Sequence, residues 1–247
     1  MIPENPNDSD FIKNIDSLKP DLFILASYGY ILKKDFLSIA PMGGINVHPS
    51  LLPKYRGAAP IQRCLMNGDE KTGLTIFFMD EKIDHGEIFF QEEIVIDEND
   101  NYGSLSACLT EKARSVIESV LESVINKTCL RRNQEENNKS LAPKIKKEEL
   151  YIDWQQPARV IHNLVRALAP KPGARTYFRD QEIKILRTSI NMQNARPGEI
   201  IKINKCMAIG TGRGVLIIER LKPSNRMEMS GWDFINGIRL QQGEVLV

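Results

Sequence analysis

The run Leu22-Phe23-Ile24-Leu25-Ala26 constrains the fold of this chain more than any other segment. An unbroken apolar run of this length is typical of a strand that is covered on both faces, as in a parallel sheet. A second strand is predicted over 44–47, after the turn residues Pro41 and Gly43, and the segment 30–40 between the strands is predicted to be a helix. This order of strand, helix and strand indicates an α/β fold.

The alternation of strands and helices continues up to residue 127. A helix is predicted over 58–66, with Pro60 in its first turn, and strands are predicted over 74–79 and 88–96. Ser104 is predicted to cap a long amphipathic helix. We therefore predict that residues 1–127 form one α/β domain with a parallel sheet.

The segment 131–139 changes the character of the sequence, because none of its residues is apolar. We interpret residues 128–146 as a solvated linker. Beyond it, Pro157 begins a predicted helix, and short strand-like pieces separated by glycines follow. Short strands at close spacing predict a small β-barrel over 147–247, which is the second domain.

The net charge also differs between the two parts of the chain. Residues 1–143 carry 15 basic and 22 acidic side chains, a net charge of −7, whereas residues 144–247 carry 18 and 10, a net charge of +8. The overall charge of +1 excludes a uniformly basic coat protein for nucleic acid. The basic second part predicts affinity for a polyanion, and a solvated charged face is the alternative interpretation.

Cysteine usage and hydropathy bear on the compartment. The four cysteines, Cys64, Cys108, Cys129 and Cys206, form no C-x-x-C pair, so neither a disulfide framework nor a zinc site is predicted. The sequence has no apolar run of 18 residues, and its first residues do not have the pattern of a signal peptide. We predict a soluble cytoplasmic protein that contacts no membrane.

The densest chemical signal is the segment 45–53, which contains Asn46 and His48. Two residues apart at the end of a strand, these side chains leave on the same face, at the sheet edge where open α/β folds bind ligands. In the alternative interpretation, His48 pairs with a loop carbonyl and Asn46 shapes the proline-rich turn.

A second candidate is the loop 79–87, which is crowded with carboxylates and includes Asp84. Taken alone, this loop could be an acidic hairpin tip. Together with Asn46 and His48, it supplies the amide, imidazole and carboxylate that an acyl-type transfer needs.

Five segments resemble one family. Residues 46–62, NVHPSLLPKYRGAAPIQ, closely resemble the signature of the methionyl-tRNA formyltransferases, within the folate-dependent formyltransferase superfamily. The segments SYGYIL at 27–32 and DHGE at 84–87 are similar to the folate-pocket segment and the aspartate loop of that family. IDW at 152–154 and PKPGA at 170–174 resemble its second domain, so the resemblance covers nearly the whole chain.

The resemblance implies a partial Rossmann-like formyltransferase domain with a parallel sheet, followed by a small OB-like β-barrel domain that binds tRNA. It assigns catalysis to Asn46, His48 and Asp84, with 10-formyltetrahydrofolate as the formyl donor and no metal. The acceptor is the α-amino group of methionyl initiator tRNA, and a monomer is expected. The residues that it assigns to donor binding are Tyr28, Gly29, Ile31, Leu32, Ser50, Leu51, Leu52, Pro53, Asp80 and Gly86.

Two other functions are kept as alternatives. One is a related formyltransferase that acts on glycinamide ribonucleotide or an amino sugar, since such an enzyme shares the three catalytic residues. The other is an inactive remnant that binds RNA or folate.

The chain departs from the family pattern in several places. Pro49 stands where a small residue is usual, His85 where threonine is frequent, and Lys33-Lys34 where a proline is usual. Roughly the first quarter of the family pattern is also absent. The strand 22–26 is therefore expected at an edge of the sheet, and the chain is expected to be a fragment of low stability and activity.

Overall fold

The computed structural model describes residues 4–241 and 243–247 and divides into two compact units. The first unit contains the described residues up to Pro60, then Glu70–Ile96 and Ser106–Lys144. The second contains Ile61–Asp69, Asp97–Leu105 and the described residues of Ile145–Val247. These units differ from the predicted division at residues 127 and 147.

A four-stranded sheet forms the first unit. Its strands are β1 (Phe23–Ala26), β2 (Gly44–His48), β3 (Lys71–Phe78) and β4 (Ile88–Val95), in that order across the sheet. Only β1 and β2 pair in parallel, whereas β3 is antiparallel to both of its neighbours. The sheet is therefore mixed, with two antiparallel pairings out of three where a parallel sheet was predicted. A short loop joins β3 directly to β4, and such a hairpin connection requires antiparallel pairing.

Four helices belong to the first half of the chain. They are α1 (Ser9–Ser17), α2 (Lys34–Leu37), α3 (Pro60–Asn67) and α4 (Tyr102–Ile125). The helix predicted over 30–40 is thus reduced to one turn. Helix α4 begins two residues before the predicted cap, because Asn101 accepts a hydrogen bond from the Ser104 amide at 3.1 Å and Ser104 Oγ accepts one from the Asn101 amide at 3.0 Å.

Apolar residues cover the two faces of this sheet differently. On one face Ile45, Ile76 and Phe78 pack against Val120 and Val124 of α4. On the opposite face, which also carries Asn46, a smaller cluster joins Leu52, Phe77 and Ile88. The site residues therefore lie on the face that α4 does not cover.

Strand β1 is less buried than its apolar sequence predicts. Its residues alternate between half-buried and exposed, and Ile24 is 49% exposed. Among the described strands, β1 pairs only with β2, so it lies at the edge of the sheet as expected.

The second unit is an antiparallel sheet with two helices. Helix α5 (Ala158–Leu168) follows Pro157, as predicted. Strands β5 (Ala174–Phe178), β6 (Gln181–Asn191), β7 (Ile200–Ile203), β8 (Cys206–Gly210) and β9 (Val215–Pro223) lie in the order β5-β6-β9-β8-β7, and β10 (Met229–Ser230) pairs with β9. Ser230 caps α6 (Gly231–Gly237), because its Oγ accepts a hydrogen bond from the Asp233 amide at 3.1 Å.

The strands of the second unit do not close into the predicted barrel within the described residues. Instead, the last residues of the chain bond to both ends of the sheet. Val247 exchanges two backbone hydrogen bonds with Tyr177 of β5, and Ile200 of β7 donates one to Glu244. The chain end thus spans the gap between the terminal strands, a pairing that strand periodicity does not reveal.

The polar segment 131–139 is not a free linker. It belongs to the first unit, and we call residues 131–142 the strap. Ile88 and Arg132 exchange backbone hydrogen bonds of 2.8 and 2.9 Å, and the Ala142 amide donates to the Arg56 carbonyl at 2.7 Å. The interpretation as a linker failed because it considered side chains only, whereas backbone groups attach the strap to the fold.

Candidate active site

Strand β2 positions the first two predicted catalytic residues. Asn46 and His48 have the same parity in β2, so both side chains leave on the face opposite α4. His48 is 4% exposed, whereas Asn46 is half-buried. An amide at this position is therefore accessible to a ligand, and the imidazole is enclosed.

The loop between β3 and β4 brings Asp84 to the same place. Asn46 Nδ2 lies 3.4 Å from Asp84 Oδ1, and His48 Nδ1 lies 3.6 Å from Asp84 Oδ2. The Gly57 amide also donates to Asp84 Oδ2 at 2.8 Å. The structure thus brings together all three predicted catalytic side chains, and it adds a backbone donor from a third segment.

Glycine is required where this loop passes the sheet. A Cβ on Gly86 would lie 1.7 Å from the Phe78 carbonyl oxygen, which no side chain can tolerate. Asp84 itself has a φ of 47°, in the left-handed region that aspartate adopts more readily than most residues. These two backbone features turn the loop back over the sheet toward Asn46.

Burial and hydrogen bonding define the state of His48. The Tyr55 carbonyl oxygen lies 3.0 Å from His48 Nε2 and can only accept, so Nε2 carries a hydrogen. Burial lowers the pKa of His48 below its ordinary value of 6.5, and this effect outweighs the Asp84 charge and the Tyr55 bond, which raise it. The ring is therefore neutral at pH 7, with the unprotonated Nδ1 facing Asp84. The contact with the Tyr55 carbonyl is also the one that the alternative interpretation of His48 predicted.

The residues predicted to bind the donor lie in three environments. Tyr28, Gly29 and Ile31 are exposed, whereas Leu32 is 2% exposed. Ser50 is buried and donates to the Lys54 carbonyl at 2.7 Å. Leu51 and Pro53 are half-buried. Leu52 is buried and packs against Phe77 and Ile88.

A cavity of about 710 Å³ lies beside the Asp84 loop. Two predicted donor residues, Asp80 and Gly86, line it, whereas the other predicted donor residues do not. Its wall includes Arg131, whose guanidinium carbon lies 3.5 Å from the centroid of the Phe78 ring. The cavity is within the size range of small-molecule sites.

His85 does not face the Asp84 carboxylate. Its Nδ1 lies 2.5 Å from Asp80 Oδ2, and its Nε2 lies 3.5 Å from Glu136 Oε1. This departure from the family pattern therefore connects the loop to the strap.

Sequence reasoning missed two residues that support the site. Gln134 of the strap donates to the backbone carbonyls of Asp84 and Gly86, each at 2.9 Å. Arg56 is 6% exposed and donates to Gln134 Oε1 from two nitrogens, at 2.7 and 3.0 Å. A buried arginine needs partners, but nothing in the sequence indicated that the partner is Gln134.

The described residues form no metal site and no membrane span. No group of three histidine, cysteine or acidic side chains among them could hold a metal ion. In the same part of the chain, no helix is both long and apolar enough to cross a membrane.

Comparison with known proteins identifies the family. Residues 2–121 match the family described as formyl transferase, and residues 144–239 match its C-terminal domain. A methionyl-tRNA formyltransferase of Thermodesulfovibrio yellowstonii is 39% identical over 241 residues, which are 98% of this chain and 78% of that protein. This chain belongs to the methionyl-tRNA formyltransferase family. A second member, from Dictyoglomus turgidum, is 40% identical over 95% of this chain and 77% of its own length.

Solved structures share the fold of this family member at lower sequence identity. HypX from Aquifex aeolicus has a TM-score of 0.73 at 19% identity and covers 99% of this chain and 43% of its own. A methionyl-tRNA formyltransferase from Clostridium thermocellum has a TM-score of 0.58 at 19% identity and covers 88% of this chain and 85% of its own. These similarities concern the fold.

Proposed function

We propose that this formyltransferase transfers the formyl group of 10-formyltetrahydrofolate to the α-amino group of methionyl initiator tRNA. The observation that carries the proposal is the convergence of Asn46, His48 and Asp84 in a chain of this family. The product would start protein synthesis, so the protein would act in the cytoplasm. We expect a monomer.

Asn46 would stabilise the charge that forms during the transfer. As the amine nitrogen attacks the formyl carbon, negative charge develops on the formyl oxygen. The Asn46 amide is half-buried, and its 3.4 Å contact with Asp84 is long for a hydrogen bond. Its N–H group can therefore turn to the oxygen at little cost.

Asp84 and His48 would move the proton. The attacking amine must lose a proton, and Asp84 is the carboxylate beside the reacting atoms. His48 Nδ1 lies 3.6 Å from Asp84 Oδ2, so a small approach of the two groups would bring them within hydrogen-bond distance and let the proton pass to the imidazole. Because burial disfavours the charged ring, His48 would then return the proton through Asp84 to the nitrogen that leaves the formyl carbon, since Nδ1 faces Asp84 and Nε2 is bound to the Tyr55 carbonyl.

The donor would bind against the Asp84 loop on the face of the sheet that carries Asn46 and His48, with Asp80 and Gly86 of that loop as one part of its site. The cavity of about 710 Å³ is a separate space, because its wall includes Val124 of α4 and none of the three catalytic residues. We propose that the exposed residues Tyr28, Gly29 and Ile31, with Leu32, form another part of the donor site, together with the segment 50–53. No step of this chemistry requires a metal.

The second unit would bind the tRNA. Residues 144–247, most of which lie in this unit, carry a net charge of +8, which favours contact with phosphates. We therefore retain residues 147–247 as the proposed tRNA-binding domain, which follows the proposed catalytic domain.

The decisive experiment is a transfer assay with purified chain, 10-formyltetrahydrofolate and charged initiator tRNA. We expect formyl-methionyl-tRNA to form, and Asp84→Asn to abolish most of the activity. Ser106→Ala is a suitable control, because Ser106 belongs to α4 and not to β2, the Asp84 loop or the strap. Formylation of glycinamide ribonucleotide or an amino sugar without formylation of the tRNA would favour the related enzymes. Folate or tRNA binding without any transfer would favour the inactive remnant.

A further inference from the structure

Gln134 holds the backbone of the Asp84 loop at two points. Its Nε2 donates to the carbonyl oxygens of Asp84 and Gly86, each at 2.9 Å. Its Oε1 accepts two hydrogen bonds from Arg56. Carbonyl oxygens only accept and guanidinium groups only donate, so these partners fix the orientation of the Gln134 amide.

Arg56 is held firmly enough to anchor Gln134. It is 6% exposed, and its Nη2 also donates to Glu136 Oε1 at 2.8 Å. Hydrogen bonds from Arg56 and Lys139 lower the pKa of Glu136 to about 2, so this carboxylate stays ionised at pH 7. The strap backbone adds to this, since the Arg56 amide donates to the Ser140 carbonyl at 2.9 Å.

These contacts form a closed ring around the catalytic carboxylate. Arg56 is followed by Gly57, whose amide donates to Asp84 Oδ2 at 2.8 Å. The carbonyl of Asp84 is bound by Gln134, and Gln134 is bound by Arg56. Asp84 is thus held both at its backbone and at its side chain by groups that are bonded to each other.

The backbone of Asp84 adopts a conformation that needs such support. Asp84 has a φ of 47°, and its neighbour Ile83 is 54% exposed. A residue in the left-handed region keeps that conformation only when its surroundings impose it. The two carbonyl bonds from Gln134 lie on either side of His85 and fix the peptide groups that follow Asp84.

We propose that Gln134 is a positioning residue for Asp84 in the formyl transfer, a role that rests on the function proposed above. Gln134 touches neither the donor nor the acceptor in this proposal. It keeps the Asp84 carboxylate at the Gly57 amide, between Asn46 and His48, where the carboxylate receives the proton of the amine.

Two variants separate the two ends of the Gln134 amide. Gln134→Met keeps the length of the side chain and loses every hydrogen bond. Gln134→Glu keeps acceptors for Arg56 but places an oxygen against the carbonyls of Asp84 and Gly86. We expect both variants to lower kcat at least tenfold, with KM for both substrates within about threefold of wild type. A wild-type kcat for Gln134→Glu would overturn the proposal, since anchoring Arg56 would then be the only role of Gln134.

A double-mutant cycle tests whether Gln134 acts through Asp84. In the background Asp84→Asn, the further change Gln134→Met should lower the remaining kcat by less than twofold. Effects that multiply in full would contradict the proposal. Asn138→Ala is the matched control, because Asn138 also lies on the strap but bonds only to the exposed Glu135 in the described structure, and this variant should keep the wild-type kcat.

A spectroscopic readout makes the test independent of activity. The sequence contains two Arg-Gly steps, 56–57 and 213–214, so carbonyl-¹³C arginine with ¹⁵N glycine selects the amides of Gly57 and Gly214. In Gln134→Met, the Gly57 resonance should move toward its position in Asp84→Ala, while Gly214 stays in place. A Gly57 resonance that stays at its wild-type position would overturn the positioning role. Absence of transfer in the wild type would instead refute the proposed function and leave this measurement informative.

Discussion

At the scale of single residues, the candidate site combines one accessible hydrogen-bond donor, Asn46, with one enclosed imidazole, His48. Asn46 is half-buried, whereas His48 is 4% exposed and its Nε2 is bound to the Tyr55 carbonyl. Burial keeps His48 neutral, so a proton that reaches Nδ1 does not remain there. Asn46, His48 and Asp84 would therefore have separate roles, although their side chains lie within a few ångströms of each other.

The role of Asn46 as a hydrogen-bond donor can be tested by its removal. Asn46→Ala should lower the single-turnover rate on the order of a hundredfold or more, since losing one oxyanion donor costs about 2.7–4 kcal/mol of barrier. Donor binding should be retained, because Asn46 is not among the residues assigned to it. A near-normal rate in this variant would show that the oxygen is stabilised elsewhere.

A second residue-scale prediction concerns His162, which lies buried in the second unit with Nδ1 2.9 Å from Thr188 Oγ1. Burial, with the charges of Arg166 and Arg159, lowers the pKa of His162 from 6.5 to about 4. The unfolded chain binds this proton first, so stability is lost as the pH falls from about 6.5 toward 4.

Urea unfolding at pH 7 and pH 5 measures this effect. His162→Asn, which keeps a polar atom near Thr188, should lose less stability between these pH values than the wild type does. Equal losses would show that His162 does not contribute. The paired glutamates Glu136 and Glu149, each with a pKa of about 2, act only at lower pH.

At the scale of structural elements, the site depends on three segments that meet on one face of the first sheet. Strand β2 supplies Asn46 and His48, the loop between β3 and β4 supplies Asp84, and the strap holds that loop. The strap is polar because its side chains bind other polar groups. The strap therefore holds the Asp84 loop in place, and it is not a solvated linker between domains.

The approach of the strap to Gly57 gives an element-scale prediction. Gly57 has a φ of 129°, and a Cβ there would lie 2.6 Å from the Ala142 carbonyl oxygen. Gly57→Ala should therefore displace the strap, weaken the bond to Asp84 and lower both kcat and the thermal midpoint. Gly237→Ala is the control, since a Cβ at Gly237 meets no atom within 4 Å. Equal thermal midpoints and rates in the two variants would contradict this account.

At the scale of the whole molecule, charge separates the parts of the chain that would bind the two substrates. The acidic residues concentrate in the part that holds the candidate active site, and the excess of lysine and arginine follows residue 143. A polyanion such as tRNA is attracted to the second part and repelled by the first.

Salt dependence tests this division. If the second part binds phosphates, log Kd for initiator tRNA should rise by about 0.9 per log unit of salt for each double-helical phosphate neutralised. Filter binding or fluorescence titration between 50 and 300 mM salt measures this slope. Binding that is insensitive to salt would favour the interpretation of a solvated charged surface.

Much of this organisation could be predicted from the sequence. The order of strands and helices follows from local apolar patterns, and the spacing of Asn46 and His48 places them on one face of β2. The carboxylate-rich loop 79–87 suggested Asp84 as their partner, and the resemblance of the 84–87 segment to a known family assigned it. These features depend on residues that are close in sequence, or on a motif long enough to be specific.

The tertiary structure alone decided how distant segments pair. The antiparallel direction of β3, the bonds of the chain end to β5 and β7, and the attachment of the strap are backbone pairings without a side-chain pattern. Gln134 is 50 residues from Asp84 and 78 from Arg56, so no local rule connects them. The sequence by itself determined which groups can react, whereas long-range hydrogen bonds decided how they are held, because such bonds form only once the whole unit has folded.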